Sequence, residues 1–370
     1  MKRQFIRNII VLAFIIVVGM LSVSCSRVSL KTDDRSTSET RSETTDSLGD
    51  ISKQDENQGL QATPYTVEFK DKAFESAIRQ SIGKTEGTIL STDLSQITDI
   101  TIKGKEGRED ESAEGDLCNI NGNEYTDVGE IQTLEDLGLL TELESLFIFN
   151  KNISDLSFMK GLSKLFGLCL DGDNISDISS LPELPSLRVL FLDNNQIRDI
   201  SPLNGFTDLT LLYLSNNQIS NISPLKDLTS LERLSLPNNQ ITDISPLKNM
   251  TMLAELHLNM NQISDISALK NLTNLEILYL NNNQIQDISA LKGLHKLRYL
   301  VLDNNQISDI SALSGLTNLQ GLSLAGNQIS DINPLMGLTN VKYIDLTNNP
   351  ISGQQVIELI NALPNTEIDY

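Results

Sequence analysis

The sequence has no tryptophan, two histidines, three cysteines and little positive charge, with 28 Lys and Arg against 49 Asp and Glu for a net charge of −21. Each shortage removes a class of function. His257 and His295 lie 38 residues apart with no partner pattern around either, which leaves no imidazole-based acid–base or metal site to build on. No phosphate loop, nucleophile elbow or HExxH sequence occurs, so an enzyme is not expected. The acidic balance argues against nucleic acid and favours basic or neutral partners, and it is also what a well-solvated surface would carry. No cofactor and no metal are expected.

The N-terminus supplies the longest apolar run. Lys2, Arg3 and Arg7 precede an apolar stretch from Ile9 to Leu21, followed by Ser22-Val23-Ser24-Cys25, the layout of a signal peptide over residues 1–24. Removing it takes away three bases and no acid, leaving −24. Cys25 resembles the lipidation site of a bacterial lipoprotein, whose acylated cysteine becomes the new N-terminus. That resemblance implies a membrane anchor on the outer face of a bacterial membrane. Ser22-x-Ser24 also fits ordinary cleavage, which gives a secreted protein, and the run extended through Ser22 and Val23 also fits an uncleaved anchor. From 25 to 63 the chain is rich in Ser, Thr, Asp, Glu and Gln and has no aromatic residue. It buries too little to order itself, and as a tether it would span roughly 35 Å.

From Leu143 to Ile351 the chain repeats LxxLxLxxNxI every 22 residues, ten times. That period predicts an α/β leucine-rich repeat solenoid, a right-handed horseshoe with a parallel β-sheet on the concave face and 3-10 turns on the convex face. In each unit two leucines such as Leu234 and Leu236 alternate inward on a short strand. An asparagine column, Asn195 to Asn349, ends the strands and can satisfy backbone groups in the tight turn. Ser245-Pro246 and its counterparts take the cap and first position of a 3-10 turn. The column Asp155, Asp177, Asp199, Asp243, Asp265, Asp287, Asp309 and Asp331 recurs with the turn, which suits a turn role better than calcium. About seven aliphatics per unit contribute roughly 10–20 kcal/mol, too little to order 22 residues at 1–2 kcal/mol each, so the units must stack. Eleven parallel strands are expected.

Residues 64–96 read as a helical N-terminal cap, with Asp71 before a helix whose Phe74, Ala77, Ile78 and Ile82 share one face. Residues 97–142 form a first, irregular repeat: Ile131 stands where a regular unit would have its isoleucine at 107, so 24 acidic, glycine-containing residues are inserted. Residues 352–370 form a C-terminal cap around a helix that starts at Ser352. No second module, wall-sorting tail or C-terminal membrane segment is read after it.

Between the inward leucines lie residues that must face outward, and seven of the thirty outward positions are aromatic against 5% of the chain. Phe147, Phe149, Phe191, Tyr213, Arg233, His257, Tyr279, Tyr299 and Tyr343 are therefore the candidate ligand-binding residues, since large rigid rings give contact area at little entropic cost. Gly167, Cys169 and Gly172 leave a small patch in the second repeat. If the insertion folds back onto it, Cys118 and Cys169 can pair as a disulfide.

The repeat closely resembles the 22-residue units of internalin-like bacterial surface proteins, as in LEILYLNNNQIQDISALKGLHK at 275–296. The segment FKDKAFESAIRQSIGKTEGTILSTDL at 69–94 resembles the helical caps of bacterial leucine-rich repeat proteins. The resemblance implies a concave sheet that grips a protein ligand and a cell-surface location, and a monomer is expected. The immunoglobulin-like module that follows the repeats in internalins has no counterpart here, which puts a host-invasion role in doubt. The leading reading is a membrane-tethered extracytoplasmic protein-recognition module. The alternatives are an envelope spacer without a specific ligand, and carbohydrate binding through the same aromatic face.

Overall fold

The computed structural model describes residues 63–104, 116–125 and 129–370. The signal peptide, Cys25 and nearly all of the expected tether lie outside these residues. The described chain is a leucine-rich repeat solenoid built on a fourteen-stranded sheet. Short strands β3 (Asp99–Lys103), β6 (Ser145–Phe149), β7 (Gly167–Asp171), β8 (Val189–Phe191) and β9 (Leu211–Tyr213) run parallel in chain order. They continue through β10 (Arg233–Ser235), β11 (Glu255–His257), β12 (Ile277–Tyr279), β13 (Tyr299–Val301), β14 (Gly321–Ser323) and β15 (Tyr343–Asp345). Residues one period apart sit side by side, so Leu212, Leu234, Leu256 and Leu278 form a fully covered row of the core. Single 3-10 turns such as Ser201–Leu203 and Ser223–Leu225 form the return path of every unit but the one between β7 and β8.

The asparagine column holds these units together. Asn217 Nδ2 donates to the carbonyls of Leu214 at 3.2 Å and Leu192 at 2.9 Å, while its Oδ1 accepts from the N–H of Ile197 at 2.9 Å. Two of those partners belong to the preceding repeat. The same bonds recur at Asn195, Asn239, Asn261, Asn283, Asn305 and Asn327. The aspartate column works inside one unit: Asp243 Oδ1 accepts from the N–H of Ser245 at 2.8 Å, as Asp199 does from Ser201. Thus the residue two earlier, Asn221 in one unit and aspartate in the others, accepts at the start of each turn, and the serine expected at the cap is the first helical residue. The serine N–H groups hold the carboxylates of Asp177, Asp265 and Asp309 below the usual range.

Both ends are closed, and the sheet gains three strands beyond the eleven expected from the repeats. At the N-terminal end, α1 (Lys72–Ser81) starts at Asp71, whose Oδ1 accepts from Phe74 N–H at 2.9 Å and whose Oδ2 accepts from Gln132 N–H at 2.6 Å. One buried carboxylate thereby caps the helix and ties it to the irregular repeat. The antiparallel pair β1 (Thr66–Val67) and β2 (Ile89–Leu90) lies alongside. From the insertion, β4 (Leu117–Ile120) and β5 (Asn123–Tyr125) form a hairpin that extends the sheet antiparallel to β3. Its turn is Asn121-Gly122, both at positive φ (50° and 84°), the backbone that a two-residue hairpin demands. Lys151, from the β6–β7 connection, anchors the insertion: its Nζ contacts buried Asp116 and the Ile131 carbonyl, each at 2.8 Å. At the other end, α2 (Gly353–Ala362) starts at Ser352, and β16 (Glu367–Asp369) adds one more parallel strand.

The hairpin corrects the expected disulfide. Cys118 and Cys169 are both free and buried. Cys118 lies beside Ile102 on the core side of β4, whereas Cys169 lies beside Phe147 on β7, three strands away along β4-β3-β6-β7. Three strand spacings are about 14 Å, twice the reach of a disulfide. The insertion prolongs the sheet edge and leaves the concave patch uncovered by any described residue of it.

A second, surface asparagine row precedes the first by one residue and occupies the left-handed region: Asn194, Asn216, Asn238, Asn282, Asn304 and Asn348 all have φ between 52° and 59°. Neighbours are linked, with Asn238 Nδ2 donating to Asn216 Oδ1 at 2.8 Å. Met260 interrupts the row at φ 58° and is 50% exposed. A methionine gains nothing from that backbone, which costs an L-residue about 1–2 kcal/mol unless a short polar side chain bonds locally. Met260→Asn is therefore expected to stabilise the fold by about 1 kcal/mol in chemical denaturation. Asn261→Ala, which strands the Ile241 N–H and takes one of two donors from the Leu236 carbonyl, should cost about 2 kcal/mol in the same measurement.

Candidate functional site

The alternation that buries two leucines per strand turns the residues around them to the open face of the sheet. All nine candidate residues lie there, and all are half-buried. Phe147 and Phe149 are on β6, Phe191 on β8, Tyr213 on β9, Arg233 on β10, His257 on β11, Tyr279 on β12, Tyr299 on β13 and Tyr343 on β15. Parallel register sets their spacing, with Phe191 directly beside Tyr213 and His257 directly beside Tyr279.

The structure divides them into groups that the sequence does not announce. Phe191 and Tyr213 form one ring pair, with centroids 4.7 Å apart and planes 32° apart. His257 and Tyr279 form a second, stacked at 4.5 Å and 10°. Between the pairs, β10 contributes Arg233 and the nearly covered Ser235. Glu255, a residue outside the original nine, organises this centre: its carboxylate lies 3.0 Å from His257 Nε2 and 3.5 Å from Arg233 Nε. Burial works to raise the Glu255 pKa, but the contacts with His257 and Arg233 outweigh it and hold the carboxylate below its usual range. Burial, followed by the Glu255 charge, pushes the Tyr213 phenol up to about 12, and the same causes do so for Tyr279. Both phenols are neutral hydrogen-bonding groups at physiological pH.

The remaining candidates are spread toward the ends. Tyr299 leans over Gly321, where an added Cβ would meet its ring at 3.0 Å, and its hydroxyl donates to Gln320 Oε1 at 3.2 Å. Tyr343 donates to Asp369 Oδ2 at 2.9 Å. Phe147 is separated from Phe191 by the small strand β7, with Cys169 between them. Phe166, at the entrance to β7, is 51% exposed and was not among the sequence candidates. It stands one place outside the alternating positions, so the strand pattern carries no signal for it.

Acids line one margin of this face. Asp171 ends β7, and Asp193 and Asp303 stand two residues after β8 and β13. Burial pushes Asp193 up to about 6 against the hydrogen bonds from Ser215, and it also raises Asp171 and Asp303. Asp173, fully buried in the next turn, accepts from Lys151 N–H at 2.6 Å through Oδ1, while Oδ2 has no partner. Burial is the main cause that lifts it to about 6. Among the described residues, no group of three or more His, Cys, Asp or Glu is arranged to hold a metal ion.

Two comparisons decide the family. Leucine Rich repeats (2 copies) match at residues 163–205, 207–249, 251–293, 273–315 and 317–361. The chain belongs to the leucine-rich repeat family. The crystal structure of an internalin (InlF) from Listeria monocytogenes is 30% identical to it, covers 81% of this chain and 88% of its own, and superposes with a TM-score of 0.65. The repeat array is thus internalin-like. The functional domain of InlJ from Listeria monocytogenes is 19% identical, with a TM-score of 0.58 over 81% of this chain and 60% of its own. The ectodomain of the receptor kinase GASSHO1/SCHENGEN3 from Arabidopsis thaliana, in complex with CASPARIAN STRIP INTEGRITY FACTOR 2, is 21% identical, with a TM-score of 0.54 over 64% of this chain and 33% of its own. These two share the fold. No match was found among curated proteins. Leucine-rich repeat domains generally mediate protein recognition and are typically non-enzymatic, and internalin-like proteins are generally surface or secreted. No helix among the described residues is long and apolar enough to cross a membrane.

The buried Asp173 sets a pH dependence for this leucine-rich repeat protein. Its pKa in the fold, about 6, exceeds the unfolded value of about 3.9. The protonated acid therefore favours the folded state, and this contribution, complete below about pH 4, is lost as pH rises through 6. Asp173→Asn keeps the Oδ1 acceptor and removes the charge. It is expected to raise Tm at pH 8, with the gain disappearing by pH 4.

Proposed function

We propose that this chain is a membrane-tethered, extracytoplasmic recognition module that binds a protein ligand on its concave sheet. One observation carries the reading: the core positions of every repeat are filled by aliphatic side chains, yet a second set of large rings stands half-buried on the open face, arranged in contacting pairs. Rings that the core does not need, set on rigid parallel strands, supply broad contact area with little entropy left to lose on binding. The mixture of phenols, one guanidinium and buried carboxylates provides directional polar contacts among them. The tether and lipid anchor rest on the sequence alone, on the apolar N-terminal run, Cys25 and the polar segment after it. Cys25 is the acylated residue in this proposal, and the polar segment holds the solenoid clear of the bilayer.

The test is affinity capture from cell-surface extracts with the full chain as bait, compared with the triple variant Phe191→Ser, Tyr213→Ser and Tyr279→Ser. The native chain should retain a protein that the variant loses, while the variant keeps the native circular dichroism spectrum. Equal retention by both chains rejects the face. Retention of glycans and no protein, lost in the same variant, rejects the protein ligand in favour of ring stacking on sugars.

A further inference from the structure

The central outward row of the sheet has a rhythm of its own. In strand order it reads Phe147, Cys169, Phe191, Tyr213, Ser235, His257, Tyr279, Val301, Ser323 and Asp345. The two ring pairs occupy β8–β9 and β11–β12, with a small residue on the strand between them. Pair-to-pair offset is three strands, about 14 Å. An extended polypeptide rises about 3.4 Å per residue, so side chains four apart project from the same side about 13.6 Å apart. A helix matches less well, since its same-face residues lie seven or eight apart at about 10.5–12 Å or eleven apart at about 16.5 Å.

Charge selects the chemistry of such a segment. Arg233, already placed against Glu255, is the one lysine or arginine on the outward face of β6–β15 among the described residues. Asp171 lies one strand outside the first ring pair and Asp303 one strand outside the second, while Asp193 is in line with Phe191 on the continuation of β8. These carboxylates are largely removed from water, with neutral hydrogen-bond donors as their close contacts: Asn194 for Asp171, Ser215 for Asp193, and Ser323 and Ala325 N–H for Asp303. Two residues further along an extended chain is about 6.8 Å, or one and a half strand spacings, which reaches β7 on one side and β13 on the other. Carboxylates already desolvated bind a cation at less further cost than hydrated ones.

We propose that the ligand presents a cationic segment in extended conformation, laid across the strands from β7 to β13. It seats two apolar side chains, four residues apart, on the Phe191/Tyr213 and His257/Tyr279 platforms. A lysine or arginine two residues beyond each end lies over Asp171 on one side, with Asp193 next to it, and over Asp303 on the other. The inference rests on protein recognition by the concave face and adds the conformation, spacing and charge of what is recognised.

The experiment titrates the full chain with labelled nine-residue peptides of the form Lys-Ser-Phe-Ser-Ser-Ser-Phe-Ser-Lys and reads fluorescence anisotropy. In companion peptides the two phenylalanines are two, three, five or six residues apart, or glutamate replaces both lysines. Binding is expected to be tightest at a separation of four, and about tenfold weaker both at three or five and with glutamate flanks. Tyr213→Ala and Tyr279→Ala should each weaken the best peptide about tenfold, and Asp171→Asn combined with Asp303→Asn should remove most of the preference for lysine. Absence of binding by every peptide, equal affinity at all separations, or a preference for glutamate overturns the inference. If surface capture still yields a protein dependent on the three aromatic residues, only the extended cationic segment falls; if capture yields glycans alone, protein recognition falls with it.

Discussion

The whole architecture depends on a side chain that bonds across the boundary between one repeat and the one before it. After each strand the backbone turns sharply, leaving buried carbonyl and N–H groups that find no backbone partner. Asn239 satisfies three of them at once, donating to Leu236 in its own repeat and to Leu214 in the preceding one, and accepting from Ile219 N–H. Unpaired, such groups cost about 1–3 kcal/mol each. A single unit therefore cannot close its own polar ledger any more than it can bury its own leucines, and both deficits are met by stacking. Stacking in turn fixes parallel register: every residue is placed beside its equivalent 22 positions away.

From that register follows the division between what holds the molecule together and what it offers to a partner. Leucine and isoleucine columns fill the interior, and aspartate on the return path accepts from the N–H of its own 3-10 turn. The outward positions are under none of these constraints, so Phe191, Arg233, Glu255 and Tyr279 are compatible with the fold without being required by it. Because strands carry them at fixed spacing, whatever they recognise meets a nearly rigid surface. The ends obey a different rule. An exposed core and open sheet edge invite association, and here α1, β4 and β5 cover one end while α2 and β16 cover the other.

Much of this was legible in the chain. The period located the strands and the 3-10 turns, the alternation named the outward residues, and the asparagine column signalled a buried amide. Other parts needed three dimensions. Asn121-Gly122 is a hairpin signal, yet it sits in an insertion read for its acidity and its cysteine, and the fold back onto Cys169 expected from that reading does not occur. Serine followed by proline resembles a capped helix start, but aspartate two residues earlier reaches the free N–H groups first because the turn is 3-10 and short. Phe166 carries no such signal, because it stands outside the two-residue period.

Sequence alone determined the solenoid, since its stability is a sum over identical neighbouring contacts and identical letters recur at one spacing. It also determined which side chains face outward, because a strand has only two faces and the leucines occupy one. Only the tertiary structure decided which outward residues meet. Phe191 and Tyr213, like His257 and Tyr279, are 22 residues apart in the chain and about 4.6 Å apart in space, and whether neighbours on adjacent strands stack depends on rotamers and on the small residues beside them. The same holds for Glu255, whose charge is set by His257 on its own strand and Arg233 on the next, and for Cys118 and Cys169, which strand order keeps three strands apart.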